Sequence, residues 1–102
     1  MVQIKWLKSA KQDLKEIYDY IALDSKRYAQ LQVEHIQQKT ELLKTQTELG
    51  KVVNEIQNPN IRELVEGNYR IIYRLVNANE IHILMVHHGA RNLHLRIKKP
   101  KK

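Results

Sequence analysis

Val2-Gln3-Ile4-Lys5-Trp6 alternates apolar and polar side chains, the two-residue period of a half-buried strand. The period then lengthens. Ala10, Leu14, Ile17, Tyr18 and Ile21 recur at spacings of three and four, an apolar stripe on one face of a helix that stops near Leu23. Ser9 stands three residues before Gln12, the spacing of a capping box, and marks the start of that helix. Asp24 and Ser25 are candidate caps of a second helix, striped by Ala29, Val33, Ile36, Thr40 and Leu43, with Gly50 as its stop. So short a connection folds the two helices into an antiparallel hairpin. The second stripe also admits an intermolecular coiled coil, but about three heptads is the minimum for one, and packing onto a sheet is preferred.

After Gly50 the pattern changes. Asn58-Pro59-Asn60 is a turn cluster, and Ile61-Arg62-Glu63-Leu64-Val65 reads as a short strand closed by Glu66-Gly67-Asn68. Tyr69 to Val76 is rich in β-branched and aromatic residues, as a central strand requires. Asn77-Ala78-Asn79 turns again, and Glu80 to His88 forms the last strand. Loops of about three residues join these strands into an antiparallel meander. The predicted fold is α+β: an N-terminal strand, an antiparallel helix hairpin and a three-stranded antiparallel meander in one sheet, with the helices on one face. Residues 1–97 make the single predicted domain and residues 98–102 a basic tail.

Composition narrows the class. The chain has 102 residues, a formal charge of +7 and no cysteine, which excludes a disulfide framework and thiolate metal sites. The longest apolar runs, such as Ile83-Leu84-Met85-Val86, fall far short of the about 18 residues a membrane span needs. Met1 to Trp6 shows no signal-peptide pattern, so a cytoplasmic location is expected. The charge is uneven: residues 1–50 hold 8 cations against 7 acids, residues 51–102 hold 10 against 4. Six of those cations lie in the last twelve residues, a basic end that attracts polyanions or an acidic protein partner.

Strand periodicity sorts the candidate chemistry. In the central strand Tyr69, Ile71, Tyr73 and Leu75 point one way, toward the helices, and Arg70, Ile72, Arg74 and Val76 the other. Two guanidiniums on a partly apolar face each need solvent, a carboxylate or a bound anion. Glu63 is the candidate internal partner, for Arg74 ahead of Arg70. In the last strand, strict alternation sets Ile81, Ile83, Met85 and His87 against His82, Leu84, Val86 and His88. His87 and His88 diverge, so no metal site is predicted. An imidazole near Arg70 and Arg91 is suited to proton transfer or phosphate binding, and equally to a buried structural role. Gly50, Gly67 and Gly89 are too scattered for a phosphate loop, and no paired-acid hydrolase or cofactor site is visible.

Trp6 with Ser9-Ala10 and Asp13-Leu14, Ile17-Tyr18-Asp19-Tyr20-Ile21, Ile61-Arg62-Glu63-Leu64, Gly67 through Arg74, and Val86 through Leu93 form an ordered set spanning nearly the whole chain. That set resembles the RelE/ParE superfamily of bacterial type II toxins. The resemblance implies a compact toxin of a plasmid-stabilisation type system, encoded beside an antitoxin whose acidic or amphipathic segment covers its basic surface. RelE-like members are ribosome-dependent endoribonucleases that cut messenger RNA. On that reading Arg70, His88 and Arg91 are the catalytic set. Leu93 stands near the position of the usual C-terminal tyrosine, and only Lys51 precedes Ile61 where a lysine block is common. ParE-like members lack the nuclease set and are associated with inhibition of DNA gyrase. His88-Gly89-Ala90-Arg91-Asn92-Leu93 is closer to this branch, which is the preferred reading. Arg70, Arg74, Arg91, Arg96, Lys98 and Lys99 are then the candidate contacts to target or antitoxin. A non-toxic binding module is the third reading, and the apolar helix pair is a candidate surface for a homodimer.

Overall fold

In the computed structural model, which describes residues 2–97, the short-period opening forms β1 (Gln3–Trp6), and the two stripes form α1 (Lys8–Ala22) and α2 (Lys26–Glu41). A 3₁₀ turn over Leu42–Lys44 extends α2. β2 (Lys51–Val52), β3 (Ile61–Glu66), β4 (Tyr69–Asn77), β5 (Glu80–His88) and α3 (Leu93–Ile97) follow. The sheet order is β1-β5-β4-β3-β2, antiparallel throughout except that β1 runs parallel to β5. The helix hairpin therefore carries the chain from one edge strand to the other across a single sheet face. This is the expected α+β arrangement, with β2 and α3 added to it.

The helix signals divide. Ser25 caps α2, its hydroxyl accepting the Tyr28 N–H at 3.2 Å. Ser9 caps nothing: α1 begins after Leu7 without a side-chain cap, and the Ser9 hydroxyl instead donates to the Leu84 carbonyl of β5 at 2.6 Å. Gly50 does not stop α2, which ends a turn and a loop earlier. It sits where backbone and ring approach closely. The Gly50 N–H donates to the Tyr73 hydroxyl at 3.0 Å, and that hydroxyl donates to the Thr47 carbonyl at 3.0 Å, so the phenol of a fully buried Tyr73 is satisfied on both sides. Burial pushes the Tyr73 hydroxyl pKa up, which keeps it protonated for that bond.

Both stripes face the sheet. Ala10 and Ile17 of α1 and Ile36 of α2, with Leu43 of the 3₁₀ turn, pack on Tyr69, Ile71 and Tyr73 of β4 and Ile81, Ile83 and Val86 of β5. One irregularity breaks the alternation expected in β5. Ile72 pairs with Met85 but Tyr73 pairs with Ile83, which leaves Leu84 as an extra residue in a β-bulge. Past the bulge the faces exchange. Val86 joins Ile81 and Ile83 under the helices, whereas Leu84 and Met85 pack on the other face. There a second, smaller core of Val53, Ile72 and Leu93 lies beneath the segment after β2 and beneath α3. Among the described residues no helix is long and apolar enough to cross a membrane.

A Cβ added at Gly50 would come against the Glu63 carbonyl oxygen and 2.8 Å from a Tyr73 ring carbon. Gly50→Ala is expected to destabilise the fold by about 1–3 kcal/mol through overpacking, read as a lowered denaturant midpoint at unchanged slope. An unchanged midpoint would show that this junction yields freely.

Candidate functional site

Arg70 follows Tyr69 in β4 and points away from the helices, where its guanidinium meets two carboxylates. Nη1 and Nη2 each donate to Glu55 at 2.9 Å, and Nε donates to Glu63 Oε1 at 2.7 Å. Lys51 Nζ stands 3.8 Å from the other Glu63 oxygen. The Glu63 side chain is 5% exposed and that of Arg70 17%, so these charges are largely withdrawn from water, and a bidentate fork is the geometry that compensates for it. The hydrogen bonds from Arg70 hold the Glu55 carboxyl down at about 2, and those to Glu55 push the Arg70 pKa further up despite its burial. Glu63 was the expected partner of Arg74 first. The register sets Glu63 opposite Ile72, diagonal to both arginines, and Glu55 in the turn after β2 decides the matter for Arg70. Arg74 is exposed and forms no ion pair among the described residues.

His87 and His88 do face opposite sides, with the bulge deciding which. His87 is buried directly across from Arg70, and its Nε2 donates to the Arg91 carbonyl at 3.0 Å. His88 lies on the helix side, edge-on to the Tyr69 ring at 5.3 Å between centroids. Its Nδ1 accepts the Ala90 N–H at 3.2 Å, which leaves Nε2 to carry the ring proton. Arg70 and His88 therefore project from opposite faces; a small open pocket of about 250 Å³ at the strand ends touches both, but Arg91 does not line it. His88 and Arg91 share an open cleft of about 910 Å³ between α1 and the segment after β5, walled also by Glu16, Ile17, Tyr20, Tyr69 and Leu95.

Arg96 closes the far end of this cleft. Its Nη2 donates to both oxygens of Asp13, at 2.7 and 3.0 Å, and Asp13 Oδ2 also accepts the Val86 N–H at 2.8 Å. One carboxylate of α1 thus holds β5 and α3 together. Leu93 is buried in the second core and offers no exchangeable proton. Lys98 and Lys99 lie outside the described residues. Sequence reasoning passed over Glu55, Asp13, Tyr20 and Tyr69 as site residues. Asp13 carried a faint signal, standing four residues after Ser9 on the same helix face; Glu55 carried none.

Removing Arg70 would leave two carboxylates facing each other in a half-dry site. Arg70→Ala is expected to cost about 3–5 kcal/mol in urea unfolding, and a loss comparable to an exposed ion pair would show the cluster to be solvated. Acid should act on the same place. The folded Glu55 value lies below the ordinary one of 4.5, so its contribution is complete above that pH and is lost as pH falls from 4.5 toward 2. Glu55→Gln should flatten the decline in stability across that window, measured as denaturant midpoint against pH.

Residues 4–93 match the sequence profile of a family described as ParE toxin of type II toxin–antitoxin system, parDE. Among solved structures, the chain is similar to one from the chromosomal ParDE toxin–antitoxin system of P. aeruginosa, with 27% identity and a TM-score of 0.69 over 86% of this chain and 96% of that one. A structure of the YoeB-YefM complex from Staphylococcus aureus shares the fold at 17% identity, with a TM-score of 0.52 over 86% of this chain and 97% of that one. No curated protein sequence matches. Strand, helix hairpin and bulged meander thus coincide with a profile covering nearly the whole chain, and the protein belongs to the ParE toxin family of type II toxin–antitoxin systems.

Proposed function

We propose that this toxin acts by binding and inhibiting DNA gyrase, and that a cognate antitoxin holds it silent in the cytoplasm. The observation that carries the choice of target is the internal neutralisation of Arg70 by Glu55 and Glu63. Cleavage of RNA by its own 2′-hydroxyl needs a cation for the charge on phosphorus, with a base and an acid within reach of it. Here the strand arginine is already engaged by two carboxylates. His88 stands on the other side of the sheet, and Leu93 has no proton to give. That geometry favours a binding inhibitor over a nuclease. Arg70 and Arg96 then serve as anchors of the fold, while the exposed Arg74 and Arg91 are the contacts left for target or antitoxin. The antitoxin partner rests on the family and on the similarity to a chain of a ParDE system. The +7 charge suits the acidic segment expected of such a partner.

The test is direct. Purified protein is expected to inhibit supercoiling by gyrase and to stabilise a gyrase–DNA cleavage complex, without codon-phased cuts in translated message. Phased cuts made by the wild-type protein and lost in a folded His88→Ala variant would overturn the proposal in favour of the ribosome and messenger RNA. Growth arrest on expression should be relieved by co-expressing the adjoining reading frame, and absence of arrest would remove the toxic activity itself.

A further inference from the structure

The cleft between α1 and the segment after β5 holds more unused hydrogen-bond donors than acceptors. His88 spends Nδ1 on the Ala90 N–H and so presents Nε2–H outward. The Tyr20 and Tyr69 hydroxyls and the Arg91 guanidinium line the same space and make no side-chain hydrogen bond among the described residues. Burial pushes the Tyr69 pKa up, which keeps that hydroxyl a donor. Of the two acids in the walls, Asp13 is paired with a cation, whereas Glu16 is exposed and bonded only to a neutral amide. Asp13 is held by Arg96 and the Val86 N–H, and the Glu16 carboxylate accepts from Gln12 at 3.2 Å.

We infer that this cleft is a carboxylate-binding subsite, taking one aspartate or glutamate side chain of a polypeptide partner flanked by apolar residues. Four donors lining one cleft suit an anion, and charge-assisted hydrogen bonds from tyrosine, imidazole and guanidinium suit a carboxylate. The surroundings select its source. Arg91 is the one unpaired cation among the described wall residues, so a polyanion such as nucleic acid would find a single charge partner there. The remaining wall, with Ile17, Val86 and the 73% exposed Leu95, is apolar and able to cover the side chains on either side of the acid. A volume of about 910 Å³ accommodates several residues, not a lone side chain. The inference deepens the reading above, in which an acidic polypeptide silences the toxin, and gives that polypeptide a seat.

The probes are two blocked tripeptides, leucine-aspartate-leucine and leucine-asparagine-leucine, and a short oligothymidylate. Each is titrated into the whole protein while the Tyr20, Tyr69, His88 and Arg91 resonances are followed by nuclear magnetic resonance. The aspartate peptide is expected to shift these four in the millimolar range, and the asparagine peptide to bind about tenfold more weakly. Arg91→Gln, at an exposed position, and the conservative Tyr69→Phe should each weaken the aspartate peptide and leave the asparagine peptide unmoved. Equal affinity for the two peptides, or no shift at these residues, would overturn the subsite. So would an oligothymidylate that binds there more tightly than the peptide and depends on Arg91. Because growth arrest and its relief by the adjoining reading frame are read separately, a failed titration with intact relief removes the subsite alone.

Discussion

β1 covers only the first part of the outer edge of β5, from Glu80 to Ile83, and the backbone beyond needs other partners. α1 supplies them. The Leu7 N–H reaches the Ile83 carbonyl at 3.1 Å, the Ser9 hydroxyl the Leu84 carbonyl, and Asp13 receives the Val86 N–H. The sealing groups succeed one another along the first turns of one helix, so they fix how α1 lies along the strand. The rest depends on that line. Ala10 and Ile17 reach the core because α1 runs beside β5, and the carboxylate that seals the edge also receives Arg96. The cleft exists because α1 forms one wall and the segment anchored by Arg96 the other.

The opposite face is organised by charge. On it two strand cations, Arg70 and Lys51, are balanced by two acids, Glu63 of β3 and Glu55 of the turn after β2. The Arg70 cluster pins the turn carrying Glu55 onto the sheet, which lets Val53 and Ile56 cover Ile72. Arg62 does similar work at the neighbouring strand end, its Nη1 donating to the Gly50 carbonyl at 2.9 Å and its Nε to the Pro59 carbonyl at 3.2 Å. Because Glu55 and Glu63 are already counted in the +7, the excess positive charge is carried by cations outside the Arg70 cluster.

Periodicity made most of the architecture legible. β1, both helices and the three meander strands follow from spacing, because each buries one face on the same core. What it missed has physical causes. Two residues of β2 are too few to show a period, and α3 is a single capped turn, with Asn92 accepting the His94 N–H at 2.9 Å. The bulge at Leu84 leaves an unbroken apolar run, so nothing in the sequence says that the faces exchange there. The site suffered most from this. Arg70 and His88 look like neighbours by strand pairing, yet Tyr69, not Arg70, is the residue that meets His88, and the partner of Arg70 comes from a turn.

The parallel pairing of β1 with β5 joins residues some eighty positions apart, Gln3 to Glu80 and Trp6 to Ile83. Before β5 has been synthesised, β1 has no strand to lie against, and Ser9 and Asp13 have no carbonyl or amide to reach. The nascent chain therefore emerges with its helical hairpin able to form early and its sheet obliged to wait, a long-range closure of the kind that slows folding. For a polypeptide harmful to the cell that makes it, this delay confines the competent shape to chains in which β5 has already been made.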